Sequence, residues 1–178
     1  MAKATKVLGV NKLLHQLREF SKEGEKMAAG EVEAAIHKVT EVAKKNAPAN
    51  DGSLRQVIIS DKVNRLNWES VSHAPYSGFV EFGTGAKVFV PKGMEKEAQD
   101  AKNAKGGDIK DALLSIKDWC KRKGIDERAA YPILMSILDE GLRPRPFMYP
   151  AWIQGCALFE KQLRLRLDQL TKKFNAQK

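Results

Sequence analysis

YSGFVEFGTG, residues 76–85, packs three aromatics, three glycines and one carboxylate into a short span. Tyr76, Phe79 and Val80 fall at i, i+3 and i+4, the spacing of one helical face, with Phe82 off that stripe. A short helix is expected, ended by Gly83 and Gly85, which tolerate the backbone angles of a sharp exit. Glu81 lies between Val80 and Phe82, so it is either a reacting acid or a structural carboxylate. Acid–base chemistry would need a partner, and the nearest preceding carboxylate is Glu69; His73 reads better as an exposed or capping side chain. A structural Glu81 can accept hydrogen bonds from backbone amides or pair with an arginine such as Arg55, Arg143 or Arg145.

Upstream, Leu13, Leu14, Leu17 and Phe20 mark a short apolar segment over 8–20, and Gly24 and Gly30 weaken any continuous helix there. Val32, Ala35, Ile36, Val39 and Ala43 then share one helical stripe, and Pro48 stops it. Asn50-Asp51-Gly52-Ser53 is turn chemistry. The β-branched run over 54–60 reads as a strand, Ser60-Asp61-Lys62 as a tight connection, and 63–72 as a returning strand with Leu66 and Trp68 on one face.

Downstream, residues 86–108 begin with VFVP, which suits a short strand, and continue in a polar, charged stretch nearly free of core residues. Burial there cannot offset the entropy of ordering, so a mobile loop is expected, with a transient helix over 94–104. Asp108 is an N-cap candidate for a helix carrying Ile109, Leu113, Ile116 and Cys120, up to Gly124. Asp126 caps a second helix whose face holds Ala130, Ile133, Leu134, Ile137 and Leu138, ending at Gly141. The prolines of LRPRPFMYPAW impose an extended crossing. From Trp152 a last helix carries one seam: Trp152, Cys156, Phe159, Leu163, Leu167, Leu170 and Phe174. The seam packs on its own core or on a neighbouring subunit, own-core packing being the commoner outcome.

A chain of 178 residues suffices for one hydrophobic core. No apolar run reaches the ~18 residues of a membrane span, and the basic start lacks a signal-peptide core. Cytoplasmic synthesis is therefore expected, with Cys120 and Cys156 reduced. Together with His15, His37 and His73 these cysteines show no metal-ligand spacing, and no cofactor is expected. GTGAK at 83–87 lacks the spacing that cradles phosphate, and neither GxSxG nor HExxH occurs. The net charge of +9 sits at the ends: residues 1–50 hold nine basic and six acidic side chains, residues 142–178 eight and two. Such ends suit nucleic acid or an acidic protein partner. Lys161, Arg164 and Lys172 lie off the last helix's apolar seam, with Arg166 at its edge, so a salt-dependent contact with phosphates is the rival reading.

Three segments in order resemble one family, the tail-completion or head–tail joining proteins of long-tailed bacteriophages. They are AKKNAPANDGSLRQVI at 43–58, YSGFVEFGTG at 76–85 and RPRPFMYPAW within 143–152. The chain departs from the family where Asp51-Gly52-Ser53 stands in place of a Thr-Gly before Leu-Arg. It also has a long stretch between the second and third segments. The resemblance implies a non-enzymatic virion protein of the neck, completing the tail end and joining it to the DNA-filled head. It implies a ring around the DNA channel, of six copies in related proteins, touching the tail tube, the head connector and, transiently, the exiting DNA. The alternative is a basic, non-specific DNA-binding phage protein.

The expected fold is α+β: a small, mostly antiparallel sheet packed by a long helix of the N-terminal half and a long C-terminal helix. A helix pair is inserted at 109–141, and a long mobile loop covers 86–108. Residues 1–178 are expected to form one domain, with 1–30 as an N-terminal helical segment. Tyr76, Phe79, Glu81, Phe82 and Gly83 are expected to clasp Arg145, Pro146 and Phe147. Lys87, Lys92, Lys96, Lys102 and Lys105 mark the loop as an assembly element.

Overall fold

The computed structural model describes residues 10–49, 52–103 and 108–176, and the side chains from Leu14 onward. Lys105, the Asn50-Asp51 turn and the side chain of Leu13 fall outside that set. The fold is α+β, dominated by helices, with one two-stranded antiparallel sheet. In order the elements are α1 (Val10–Asn46), α2 (Ser53–Gln56), β1 (Ile58–Asn64), β2 (Asn67–Ser72), α3 (Ser77–Phe82), α4 (Glu95–Asn103), α5 (Ile109–Lys123), α6 (Ala130–Glu140) and α7 (Met148–Ala176). Short 3-10 turns occupy Gly85–Lys87 and Glu127–Ala129. No helix among the described residues is long and apolar enough to cross a membrane.

Several boundaries differ from the sequence reading. Helix α1 runs through Gly24 and Gly30 without a break. The propensity cost of about 1 kcal/mol per glycine is small beside the packing of so long a helix. Ser53–Gln56 is a helical turn rather than the start of a strand, because left-handed Gly52 leads into it and the Gln56 amide bonds the Gly52 carbonyl. Strand β1 continues through Ser60-Asp61-Lys62, and the hairpin turns at Arg65-Leu66 instead, where the Asn64 side chain accepts the Leu66 amide at 3.0 Å. VFVP forms no strand; its Phe89 amide bonds the Phe82 carbonyl at 2.9 Å. Helix α7 begins at Met148, so Pro150 is helical. Proline is tolerated there because first-turn amides have no partner within the helix.

Elsewhere the capping logic holds. Asp108 accepts the Lys110 amide at the start of α5, and left-handed Gly124 ends that helix. Asp126 accepts the Arg128 amide at the 3-10 turn that leads into α6. Helix α4 occupies the middle of the 86–108 stretch, close to the helix expected over 94–104.

The chain divides into two compact units. One takes the described residues through Val39, Ser60–Ser70, and those from Ile153 onward. In it α1 and α7 run antiparallel. Phe20 meets Phe174 edge-on with ring centroids 4.8 Å apart, Glu23 binds Lys173, and Glu31 binds Arg166 at 3.1 Å. Gly155 brings the backbones close, since a methyl group there would lie 2.1 Å from a Val39 methyl. The hairpin packs on α1 through Trp68 against His37, and Arg65 reaches Glu25 at 2.8 Å.

The second unit takes Thr40–Ile59 and Val71–Trp152. It holds most of the buried apolar residues, including Leu54, Ile58, Phe82, Cys120, Leu134 and Phe147. Arg55 closes the C-terminal end of α1, its Nε and Nη2 donating to the Ala47 carbonyl at 3.0 and 2.9 Å. Both cysteines are free thiols. Burial, and secondarily Glu160, pushes the Cys156 thiol up from its ordinary range.

Candidate functional site

Helix α3 stops at Phe82 because Gly83 takes a left-handed φ of 77°. From there the chain lies against the segment 140–149, and the two are joined bond by bond. The Arg145 amide donates to the Val80 carbonyl at 2.7 Å, and the Thr84 amide to the Leu142 carbonyl at 3.0 Å. The Leu142 amide returns a bond to Thr84 Oγ1 at 2.7 Å. Beyond them Lys87 Nζ reaches Glu140 Oε2 at 3.0 Å and the Gly141 carbonyl at 3.3 Å. Two glycines make the approach possible. A Cβ on Gly83 would lie 2.7 Å from the Leu142 carbonyl oxygen, and one on Gly141 only 2.1 Å from that of Thr84.

Glu81 is the centre of this arrangement. It is 5% exposed, and its carboxylate caps the start of α7. Oε2 accepts the amides of Phe147 and Met148 at 2.7 and 2.9 Å, and Oε1 accepts that of Tyr149 at 2.9 Å. The first turn of a helix leaves amide donors without intrahelical partners. Here Glu81 takes those of Phe147, Met148 and Tyr149, and the next residue, Pro150, has no donor to satisfy. The negative charge also faces the positive end of the helix dipole.

Of the two partners open to Glu81 from sequence, the backbone amides are the ones found. Arg55 is engaged at α1, while Arg143 and Arg145 are exposed, Arg145 contributing its backbone amide alone. Phe147 is fully buried and Phe82 nearly so, whereas Pro146 is exposed. The Tyr76 hydroxyl lies 3.0 Å from Ser53 Oγ. Thr84 and Leu142 were not singled out from sequence, and Gly141 only as a helix end, because this contact depends on a pairing across more than fifty residues. The glycine that ends α6 was the single local sign.

Phe79 faces a cleft of about 680 Å³ between α3, the 82–90 stretch and α4. Its lining is mainly apolar, with Phe82, Val88, Val90 and Ala98, while Glu95 and Lys102 add charge. Helix α4 rests on α3 through Ala101, whose Cβ fills the space a side chain at Gly78 would need. Lys92, Lys96 and Lys102 are exposed; Lys87 is part-buried in its ion pair with Glu140. That pairing holds the Glu140 carboxyl below its ordinary range, first through the hydrogen bond from Lys87 and then through its charge. No cluster of His, Cys, Asp or Glu that could hold a metal ion occurs among the described residues.

Residues 11–83 match the HK97-gp10-like family model, described as "Bacteriophage HK97-gp10, putative tail-component". Over this stretch, which is less than half of the chain, the sequence is similar to that tail-component family. The match spans most of α1, the hairpin and α3, ending at Gly83, and so includes Glu81 but not the segment it caps. No curated protein and no solved structure matches the chain.

Proposed function

We propose that the chain is a structural virion protein of the phage neck, which completes the tail end and joins it to the DNA-filled head. The match of residues 11–83 to a tail-component family carries this reading. The state of Glu81 supports it. A buried carboxylate that accepts three backbone amides through its two oxygens fixes one segment to another and is withdrawn from solvent. Glu81, Phe82 and Gly83, with Arg145 and Phe147, act as a structural clasp rather than a reaction centre, while Tyr76 and Phe79 seat the helix that carries it and Pro146 lies on its exposed side. The whole chain works as one tail-completion domain, without catalysis or cofactor.

In this reading the protein is made in the bacterial cytoplasm and resides in the virion as a ring around the DNA channel, six copies being the expected number. Its neighbours are the tail tube and the head connector, and its contact with exiting DNA is transient. The exposed lysines at 92, 96 and 102 offer positive charge to an acidic neighbour. Particles assembled without the chain should separate into filled heads and unjoined tails under the electron microscope. Joined, infectious particles in its absence would refute the assignment.

The rival reading, a basic DNA-binding protein, draws on the exposed Lys161, Arg164 and Lys172 of α7. It requires a tight gel shift with duplex DNA at moderate salt, weakening steeply as salt rises. A neck protein shows little shift under the same conditions.

A further inference from the structure

We propose that the outward stripe of α6 and the outward stripe of α7 are the two halves of a head-to-tail interface between copies of this chain. The proposal rests on the ring reading and names the surfaces that would build it. Helix α6 is apolar on two sides. Ala130 and Leu134 are buried, yet Tyr131, Met135 and Leu138, at i, i+4 and i+7, are 61%, 45% and 55% exposed. A helix with apolar residues on both faces is characteristically covered on both.

The same molecule carries a fitting cover. On α7, Leu158 and Leu165 are also exposed and also seven residues apart, about 10 Å along a helix. Lys161 lies between them on that stripe, and Asp168 and Lys172 follow. The two surfaces differ in sign. Helix α6 holds two acidic residues and no basic one, whereas on α7 the exposed Lys161, Arg164 and Lys172 outnumber the exposed Glu160 and Asp168, Arg166 and Lys173 being engaged by Glu31 and Glu23. Glu140 is engaged by Lys87, leaving Asp139 beside Leu138 as the acid flanking the stripe. Pairing α6 with α6 offers Asp139 no base, since α6 has none, and pairing α7 with α7 brings together two surfaces with an excess of positive charge. The unlike pairing joins apolar to apolar and sets the acid of α6 against the bases of α7. Copies that each carry a charge of +9 need such local attraction to associate. An unlike interface is also the kind that propagates from copy to copy until a ring closes.

The test uses Leu138→Glu and Leu165→Glu, both at exposed positions, with circular dichroism and melting as checks of folding. In size-exclusion chromatography with light scattering, the unaltered chain should form concentration-dependent oligomers. Each variant alone should be monomeric, with association weakened by about tenfold or more. Their equimolar mixture should give a one-to-one dimer, because one variant keeps its α7 stripe and the other its α6 stripe. Should either glutamate disturb folding, Asp139→Lys should weaken association and the added Lys161→Glu should restore it. Oligomers that survive the substitutions, or self-dimers of L165E, overturn the interface and leave the ring reading standing. An unaltered chain that stays monomeric at every concentration, and is single-copy in tails, overturns both.

Discussion

At the scale of single residues, Glu81 illustrates how one side chain replaces a whole first turn of partners. The resemblance and its apolar neighbours marked it as structural. The sequence left open which donors it would meet, since Phe147, Met148 and Tyr149 lie 66 to 68 positions away. Glu81→Gln puts an amide group where two acceptor oxygens are needed, leaving at least one buried N–H unpaired. The expected cost is about 2–4 kcal/mol, a fall in melting temperature of about 5–15 °C. Glu81→Asp keeps the charge but shortens the reach, so it should lose part of that stability. Thermal melts of both variants against the unaltered chain check this, and an unchanged Glu81→Gln melt would deny the cap its role. The arginine alternative was chemically sound but lost because Arg55 is spent on the Ala47 carbonyl. Sequence spacing does not reveal such prior commitments.

At the scale of elements, the caps were legible and the strand register was not. Asp108, Gly124, Asp126 and Gly141 mark real helix ends because capping is a local matter of a few atoms. The hairpin turn was misplaced because Ser60-Asp61-Lys62 looks as turn-prone as Asn64-Arg65-Leu66, and packing against α1 decides between them. Gly24 and Gly30 misled for a related reason: propensity is a weak local term that tertiary contact overrides. A prediction follows for α1. Nothing lies within 4 Å of a methyl group placed on Gly30, so Gly30→Ala should stabilise the chain by about 0.5–1 kcal/mol, read as a raised melting temperature. Another concerns the tie from Lys87 to α6. The folded pKa of Glu140 is depressed, so this pair contributes above the carboxyl's unfolded pKa and is lost as pH falls through the folded value. The stability gap between the unaltered chain and Glu140→Gln should be present near neutral pH and close in acid, measured by melts across the pH range.

At the scale of the whole molecule, apolar periodicity and β-branched runs foretold an α+β chain with its long helices, but not how unevenly the core is shared. Leu54, Ile58, Phe82, Cys120, Leu134 and Phe147 are all buried in the unit of Thr40–Ile59 and Val71–Trp152, while Leu17, Leu158 and Leu165 of the other unit are exposed. The seam expected on α7 is only partly used: Leu170 is buried, but Trp152 and Leu167 are 48% and 41% exposed. Apolar spacing shows which residues share a face, not what covers that face. Amide exchange should follow the buried core, slowest in α3 and the first turn of α7 and faster from Leu158 to Phe174. Uniform exchange along α7, followed by mass spectrometry of its peptides, would contradict that ordering. The distance between Glu81 and its donors also has a meaning in time. At about 5–20 residues per second, roughly 3–13 s of translation separate the glutamate from Phe147. Throughout that interval the nascent chain holds a hydrated, ionised side chain where the finished protein requires a sealed interior. A polypeptide cut short before Phe147 never acquires the amides that bind this carboxylate, so enclosing Glu81 in a truncated product carries an uncompensated desolvation cost.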